Sequence, residues 1–223
     1  MRIAAKWLFI ICLPVLLLTA SISGAANSLW LYQYGFDKYD VSQTTGLAQS
    51  ELDKAAAGLI NYFSSDDETI SLTVVKDGES FELFNEREVA HLRDVRGLFQ
   101  LAYRVLLGTF IYALVYLGLS LFLWQDRRRL AWGLVGGGGL TLVLMLALGV
   151  GTLLNFDQLF LQFHLISFAN ELWMLDPAKD YLIMLFPQGF WYDASLFCAL
   201  AAAVGALILV GVGWWYFKRR RAE

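Results

Sequence analysis

Two residues in this chain are suited to moving protons near neutral pH. They are His91 and His164, the only histidines among 223 residues. An imidazole titrates close to physiological pH and can both accept and donate a proton. Taken singly, either ring is adequately explained as a structural histidine. Taken together, in the flanks of two different apolar runs, they could serve one lipid ester as base and hydrogen-bond donor. In "EREVAHLRDV", His91 has Arg87 and Glu88 on one side and Asp94 on the other, at helical spacings of three and four. A carboxylate so placed is expected to orient the ring and favour its cationic form. Around His164, residues Ser167, Phe168 and Glu171 fall on one helical face, with Asn170 and Trp173 close by. The sequence has no Gly-x-Ser-x-Gly elbow, no cysteine in the segments that carry the histidines and no His-Glu-x-x-His motif, so the imidazoles themselves must carry the chemistry.

The elements that position these rings are membrane elements. With 58% hydrophobic residues and a positive mean hydropathy, the chain falls outside the range of ordinary soluble domains. Four stretches avoid charge altogether, at about residues 7–30, 105–124, 130–155 and 194–217. Each is long enough for a helix to cross a hydrocarbon core about 30 Å thick, where a buried charge would cost roughly 2.5–3.5 kcal/mol. Their lack of a polar face argues against the core of a soluble protein. Arg2 and Lys6 precede the first stretch, Arg127, Arg128 and Arg129 separate the second from the third, and Lys218, Arg219, Arg220 and Arg221 follow the fourth. The positive-inside rule puts all three clusters, and both termini, in the cytoplasm. Both histidines are then expected on the extracytoplasmic side of a multi-pass cell-membrane protein.

The expected fold is mainly α: one membrane domain over 1–223, comprising a four-helix transmembrane bundle and a small extracytoplasmic α+β cap over about 31–97 and 156–193. The N-terminal stretch followed by "SISGAA" has the layout of a signal peptide, but its uncharged run continues through "NSLWLYQYGF", which favours an uncleaved span. Cys12 and Cys198 fall near opposite ends of their spans, so no disulfide is expected. In the first outer segment "SELDKAAAGLINYF" reads as a helix capped by Ser50, and "TISLTVVKDGESFELF" as a hairpin turning at Asp77-Gly78. Asn85 is placed to cap the helix that carries His91. Arg93 and Arg96 read as headgroup anchors. The second outer segment reads as two surface helices joined at Asp176-Pro177, with Pro187 ending the second and with Trp173, Phe190, Trp191 and Tyr192 forming an aromatic belt. The run Gly136 to Gly139 reads as a close helix contact, since no strand precedes it and no Lys-Ser/Thr follows.

The pieces "REVAHLRDV" and "FHLISFANELWMLDPAKDYLIMLFPQGF" resemble the paired motifs of the lipoprotein intramolecular transacylase family, Lit, whose members are similar in length and four-span layout. The resemblance rests on Glu88, His91, Asp94 and Val95 in the first piece. In the second it rests on Phe163, His164, Phe168, Asn170, Trp173, Asp176, Pro177, Asp180 and Pro187. It implies transfer of the sn-2 acyl chain of a diacylglyceryl lipoprotein to the α-amino group of its own N-terminal cysteine, giving a lyso-form lipoprotein. Nucleophile and ester then belong to one molecule, and orientation alone supplies a large effective molarity.

On this reading His91 is the expected base, Glu88 and Asp94 raising its proton affinity, and His164 the donor. Asn170 is a candidate for orienting an oxyanion or ring, with Trp173 beside it; Asp176 and Asp180 are candidates for receiving the substrate's ammonium group, or for capping. No metal, cofactor or nucleic acid is expected; the expected partners are a diacylglyceryl lipoprotein and membrane lipids. Two other classes fit parts of the pattern. One is a metal-dependent lipid hydrolase using both imidazoles with Glu88 or Glu171; the other is a non-catalytic tetraspan protein that binds lipoproteins or a partner. Transport fits less well, because no ionisable group sits in the middle of a span.

Overall fold

Uninterrupted apolar sequence makes long helices, because every backbone polar group can then be satisfied within its own segment. The computed structural model describes residues 2–222, so Met1 and Glu223 lie outside it. The side chains of Arg220 and Arg221, part of the basic tail, also lie outside what is described. The elements in chain order are α1 (Arg2–Ala26), α2 (Leu29–Lys38), α3 (Val41–Thr45), α4 (Gln49–Ser64), β1 (Thr73–Lys76), β2 (Glu79–Glu82), α5 (Glu86–Gly118), α6 (Arg127–Ser167), α7 (Tyr181–Leu185) and α8 (Gln188–Ala222). Helix α5 runs on into a π-helical turn, Leu119–Leu123. Four helices, those starting at Arg2, Glu86, Arg127 and Gln188, are long and apolar enough to cross a membrane. The chain divides into two compact units, one of residues 1–23, 102–154 and 196–223, the other of residues 24–101 and 155–195.

The first unit holds most of each charge-free stretch. Its core is built from Phe9, Leu13, Tyr116 and Leu130, with Phe9 stacked on Tyr116 at 4.4 Å between ring centroids. The glycines expected to mark a close contact do so: a Cβ at Gly137 would lie 2.9 Å from Leu13 Cβ, and one at Gly138 only 2.8 Å from the Ala206 carbonyl oxygen. Small residues let helix backbones approach where lipid offers no hydrophobic drive to pack. Gly139, by contrast, faces open space.

The second unit is a small α+β body. Helix α4 buries Leu52, Ala55, Ala56, Leu59, Tyr62 and Phe63 along one stripe, and α2, which neighbours it, buries Leu31, Tyr32, Gly35 and Phe36. The hairpin forms where the Asp-Gly pair allows it: Asp77 and Gly78 both have positive φ, 54° and 85°, and Lys76 pairs with Glu79 across the turn. Glu51 then fastens the hairpin to α4, its carboxylate accepting the Val75 N–H at 3.1 Å. Arg96 donates to the Ser65 carbonyl at 3.0 Å, so it is tied to the loop after α4 rather than serving only as a headgroup anchor.

Three local expectations change. The first helix ends at Ala26 and a separate helix starts at Leu29, so 27–30 do not extend the first span. Helix α4 starts at Gln49 with Ala48 at its cap position, whose carbonyl accepts the Glu51 and Leu52 N–H groups; Ser50 lies inside the first turn and does not cap it. Nor does the second outer segment form two surface helices. Its first helical stretch is continuous with α6, bent at Asn155, which has φ −159° and whose side-chain oxygen receives the Gln158 N–H at 3.1 Å like an N-cap. Asp176 and Pro177 lie in an irregular loop, because the Asp176 carboxylate folds onto the Ala178 N–H at 2.9 Å and Asp180 takes the Asp176 N–H at 2.7 Å. The helix that follows this loop has five residues.

Candidate active site

Asn85 begins the site. Its side-chain oxygen accepts the N–H groups of Arg87 and Glu88 at 3.0 and 3.1 Å, and the Glu88 carboxylate returns to the Asn85 N–H at 2.8 Å. This reciprocal cap fixes the start of α5 and hence the direction in which His91 leaves it. The other oxygen of Glu88 accepts the Leu182 N–H at 2.6 Å, and the Asn85 side-chain amide donates to Asp180 at 2.8 Å. Glu88, only 1% exposed, therefore joins the two sequence motifs through main-chain N–H groups. Burial pushes its carboxyl above the ordinary value, against the pull of these two N–H donors.

His91 and His164 meet. Their ring centroids are 6.4 Å apart with planes inclined by 30°, and the two residues are 6% and 7% exposed. Both lie in the second unit, in the parts of α5 and α6 outside the charge-free stretches at about 105–124 and 130–155. Aromatic rings surround them: Phe168 stands edge-on to His91 at 5.0 Å, and His164 contacts Phe160 at 4.3 Å and Trp173 at 4.9 Å. His164 Nδ1 lies 2.8 Å from the Phe160 carbonyl oxygen. A carbonyl only accepts, so Nδ1 carries the proton and the neutral ring presents its lone pair at Nε2. His91 Nδ1 is buried without a hydrogen-bond partner.

The electrostatics reverse one expectation. Burial and the neighbouring His164 lower the His91 pKa to about 4, and the opposing influence of Asp94 does not compensate. Glu88 does not raise it, because both its oxygens are turned to backbone N–H groups. Burial also lowers the pKa of His164, opposed by its bond to the Phe160 carbonyl.

The other sequence candidates fall into two groups. Asp94 and Asn170 come together, the amide donating to the carboxylate at 2.9 Å, and Trp173 lies against His164. Asp176 and Asp180 bind groups of their own loop and of Asn85, and Asp180, although it precedes α7, makes no side-chain capping bond to that helix. Among the described residues no group of three or more His, Cys, Asp or Glu is arranged to hold a metal ion. Sequence reasoning passed over Arg87, read only as a helical neighbour of His91; its guanidinium donates to the Glu171 carbonyl at 2.8 Å.

Four apolar helices, joined to an α+β unit that pairs two imidazoles, define an integral, multi-pass membrane protein. Residues 7–191 match the family of the lipoprotein intramolecular transacylase Lit, and the chain belongs to that family. A transacylase is an enzyme that moves an acyl group. The fold is that of the in meso structure of the membrane integral lipoprotein intramolecular transacylase Lit from Bacillus cereus. At 20% identity it aligns with a TM-score of 0.87, covering 100% of this chain and 99% of that one. A variant of the same protein with a histidine replaced by alanine aligns at 0.81, again at 20% identity, covering 100% of this chain and 96% of that one. An uncharacterized protein of Aquifex aeolicus (strain VF5) is 27% identical over 130 residues. That match covers 58% of this chain and 56% of the relative, so it spans little more than half of the curated protein.

Proposed function

We propose that the chain transfers the sn-2 acyl chain of a diacylglyceryl lipoprotein to the α-amino group of the same molecule's N-terminal cysteine. Family membership supports the reaction class, and the observation that carries the assignment to residues is the imidazole pair with ring centroids 6.4 Å apart. The α-ammonium group, with a reference pKa of about 7.7–8.0, first loses its proton. His164 is the base on this reading, because its Nδ1–H is committed to the Phe160 carbonyl and its Nε2 lone pair is free of that bond. The amine nitrogen bonds to the ester carbonyl carbon, and the carbonyl oxygen becomes an oxyanion. His91, neutral near pH 7 with a pKa of about 4, donates a ring N–H hydrogen bond to that oxyanion. Collapse breaks the bond to the sn-2 oxygen, which takes the proton from the His164 imidazolium and leaves as a hydroxyl; the nitrogen gives its remaining extra proton to the His164 lone pair so freed, which passes it to solvent, so one proton is released overall. The products are an amide and a free glyceryl hydroxyl, so no water or cofactor is consumed.

This assignment exchanges the roles that sequence spacing suggested for the two rings. The basic ends of the spans support cytoplasmic termini and a site on the extracytoplasmic face, where the substrate's lipid anchor would present its ester. The test is mass spectrometry of N-terminal lipopeptides from cells with and without the gene, and with His91→Ala or His164→Ala in its place. Acyl groups on the α-nitrogen should depend on the gene and on both histidines. Identical lipopeptides in all four strains would refute the proposal, and retention of product by either variant would refute the role given to that ring.

A further inference from the structure

Arg87, His91 and Asp94 fall within about 60° of one another around α5, so they form one stripe with the imidazole in the middle. The two outer members of the stripe reach the same loop. Arg87 donates to the Glu171 carbonyl at 2.8 Å, and Asp94 accepts from the Asn170 side-chain amide at 2.9 Å. Among the described residues, these two are the side-chain hydrogen bonds that reach loop 168–175 from outside it. Between its fastenings and their flanks the loop carries Phe168, edge-on to His91 at 5.0 Å, and Trp173, 4.9 Å from His164.

We infer that Arg87 is a positioning residue, which together with Asp94 straps loop 168–175 across the imidazole pair and sets the seat of Trp173 on His164. Three features carry this. The rings beneath are 6% and 7% exposed, so a substrate ester reaches them only when part of the cover moves. The fastenings themselves, Arg87, Asn170 and Glu171, are exposed, so water can replace their hydrogen bonds without opening a core. Arg87 also holds a main-chain carbonyl, so it fixes the path of the loop whatever side chain stands at position 171. The loop's internal bonds, such as Leu172 N–H to the Asn170 side-chain oxygen at 3.0 Å, let it shift as a preformed piece.

The catalytic consequence rests on the proposed transacylase reading, whereas the strap itself can be read without it. Because the chain has two histidines, diethylpyrocarbonate labelling of the full-length protein in nanodiscs, resolved by peptide mass spectrometry, reports each ring separately. Wild type should label slowly at both. Arg87→Ala should label His164 about tenfold faster, the factor expected for loss of one charge-assisted hydrogen bond, at an unchanged thermal midpoint. Arg87→Lys, which keeps a donor, should restore slow labelling. With a synthetic diacylglyceryl lipopeptide, Arg87→Ala should lower kcat without raising KM, and Arg87→Lys should recover most of the loss. If Arg87→Ala does not fold, Asn170→Asp sets two carboxylates against each other at the second fastening and should speed labelling in the same way. Wild-type labelling rates in a folded variant would overturn the strap. Absence of transfer by wild type, with faster labelling in the variant, would instead sink the transacylase reading and leave the strap standing.

Discussion

Replacing Glu88 separates two roles that its position next to the histidine motif would allow. Its carboxylate accepts the Asn85 and Leu182 N–H groups at 2.8 and 2.6 Å while the residue is 1% exposed. Glu88→Ala leaves the buried Leu182 N–H and the half-buried Asn85 N–H without an acceptor; at about 1–3 kcal/mol for a buried donor and less for one that water can reach, the unit should lose about 3 kcal/mol. For a chain of this size that corresponds to a fall of about 10 °C in thermal midpoint. Glu88→Gln keeps one carbonyl acceptor but turns an NH2 toward a donor, and should fall between the two. The assay is thermal unfolding of the purified protein in detergent, followed by residual lipopeptide transfer per folded molecule at low temperature. Transfer should survive in the fraction that remains folded. A variant with an unchanged midpoint and abolished transfer would refute the reasoning, because it would place the carboxylate on the substrate.

Acid should destabilise the second unit through His91. Its pKa of about 4 lies below the ordinary 6.5, so between those values the unfolded chain binds more protons than the folded one; stability is full above pH 6.5 and is lost as pH falls toward 4. The loss should reach about 3 kcal/mol by pH 4, and His91→Phe should remove that part of the pH dependence in unfolding experiments. Gly138→Ala should weaken packing in the first unit and lower its thermal midpoint, because the new methyl would meet the Ala206 carbonyl oxygen, whereas Gly139→Ala, facing open space, should be neutral or stabilising by up to about 1 kcal/mol. Asn155→Ala should cost about 1 kcal/mol through loss of the bond to the Gln158 N–H, measured as reduced protection of that region in hydrogen exchange.

Features set by neighbouring residues were legible before the structure. Asp77-Gly78 dictates its turn because that pair tolerates positive φ, Asn85 caps the helix just after it, and the four charge-free stretches require helices. What escaped depends on partners distant in sequence. The Glu88 acceptor lies 94 residues from its Leu182 donor, so local spacing suggested a partner for His91 where the fold supplies a staple. Arg87 escaped for the same reason, its carbonyl partner being 84 residues away. The third charge-free stretch was read to end at about residue 155; that the chain bends at Asn155 and stays helical to Ser167 was not legible in it. Ser50 was misread because the helix begins one residue before it, at Gln49, so the cap position falls on Ala48. That His91 and His164 could serve one ester was read from their places in the flanks of two apolar runs; that the rings face one another, and that burial lowers their proton affinity, no one-dimensional pattern records.

The confinement of every imidazole in the chain to one spot has a use of its own. Histidine enriched in nitrogen-15 at its ring positions only, incorporated during growth, would make the nitrogen spectrum of the whole lipid-bound particle consist of four ring resonances, two from each side chain. Ligand titrations could then be followed at the reacting groups directly, with no assignment of the remaining residues.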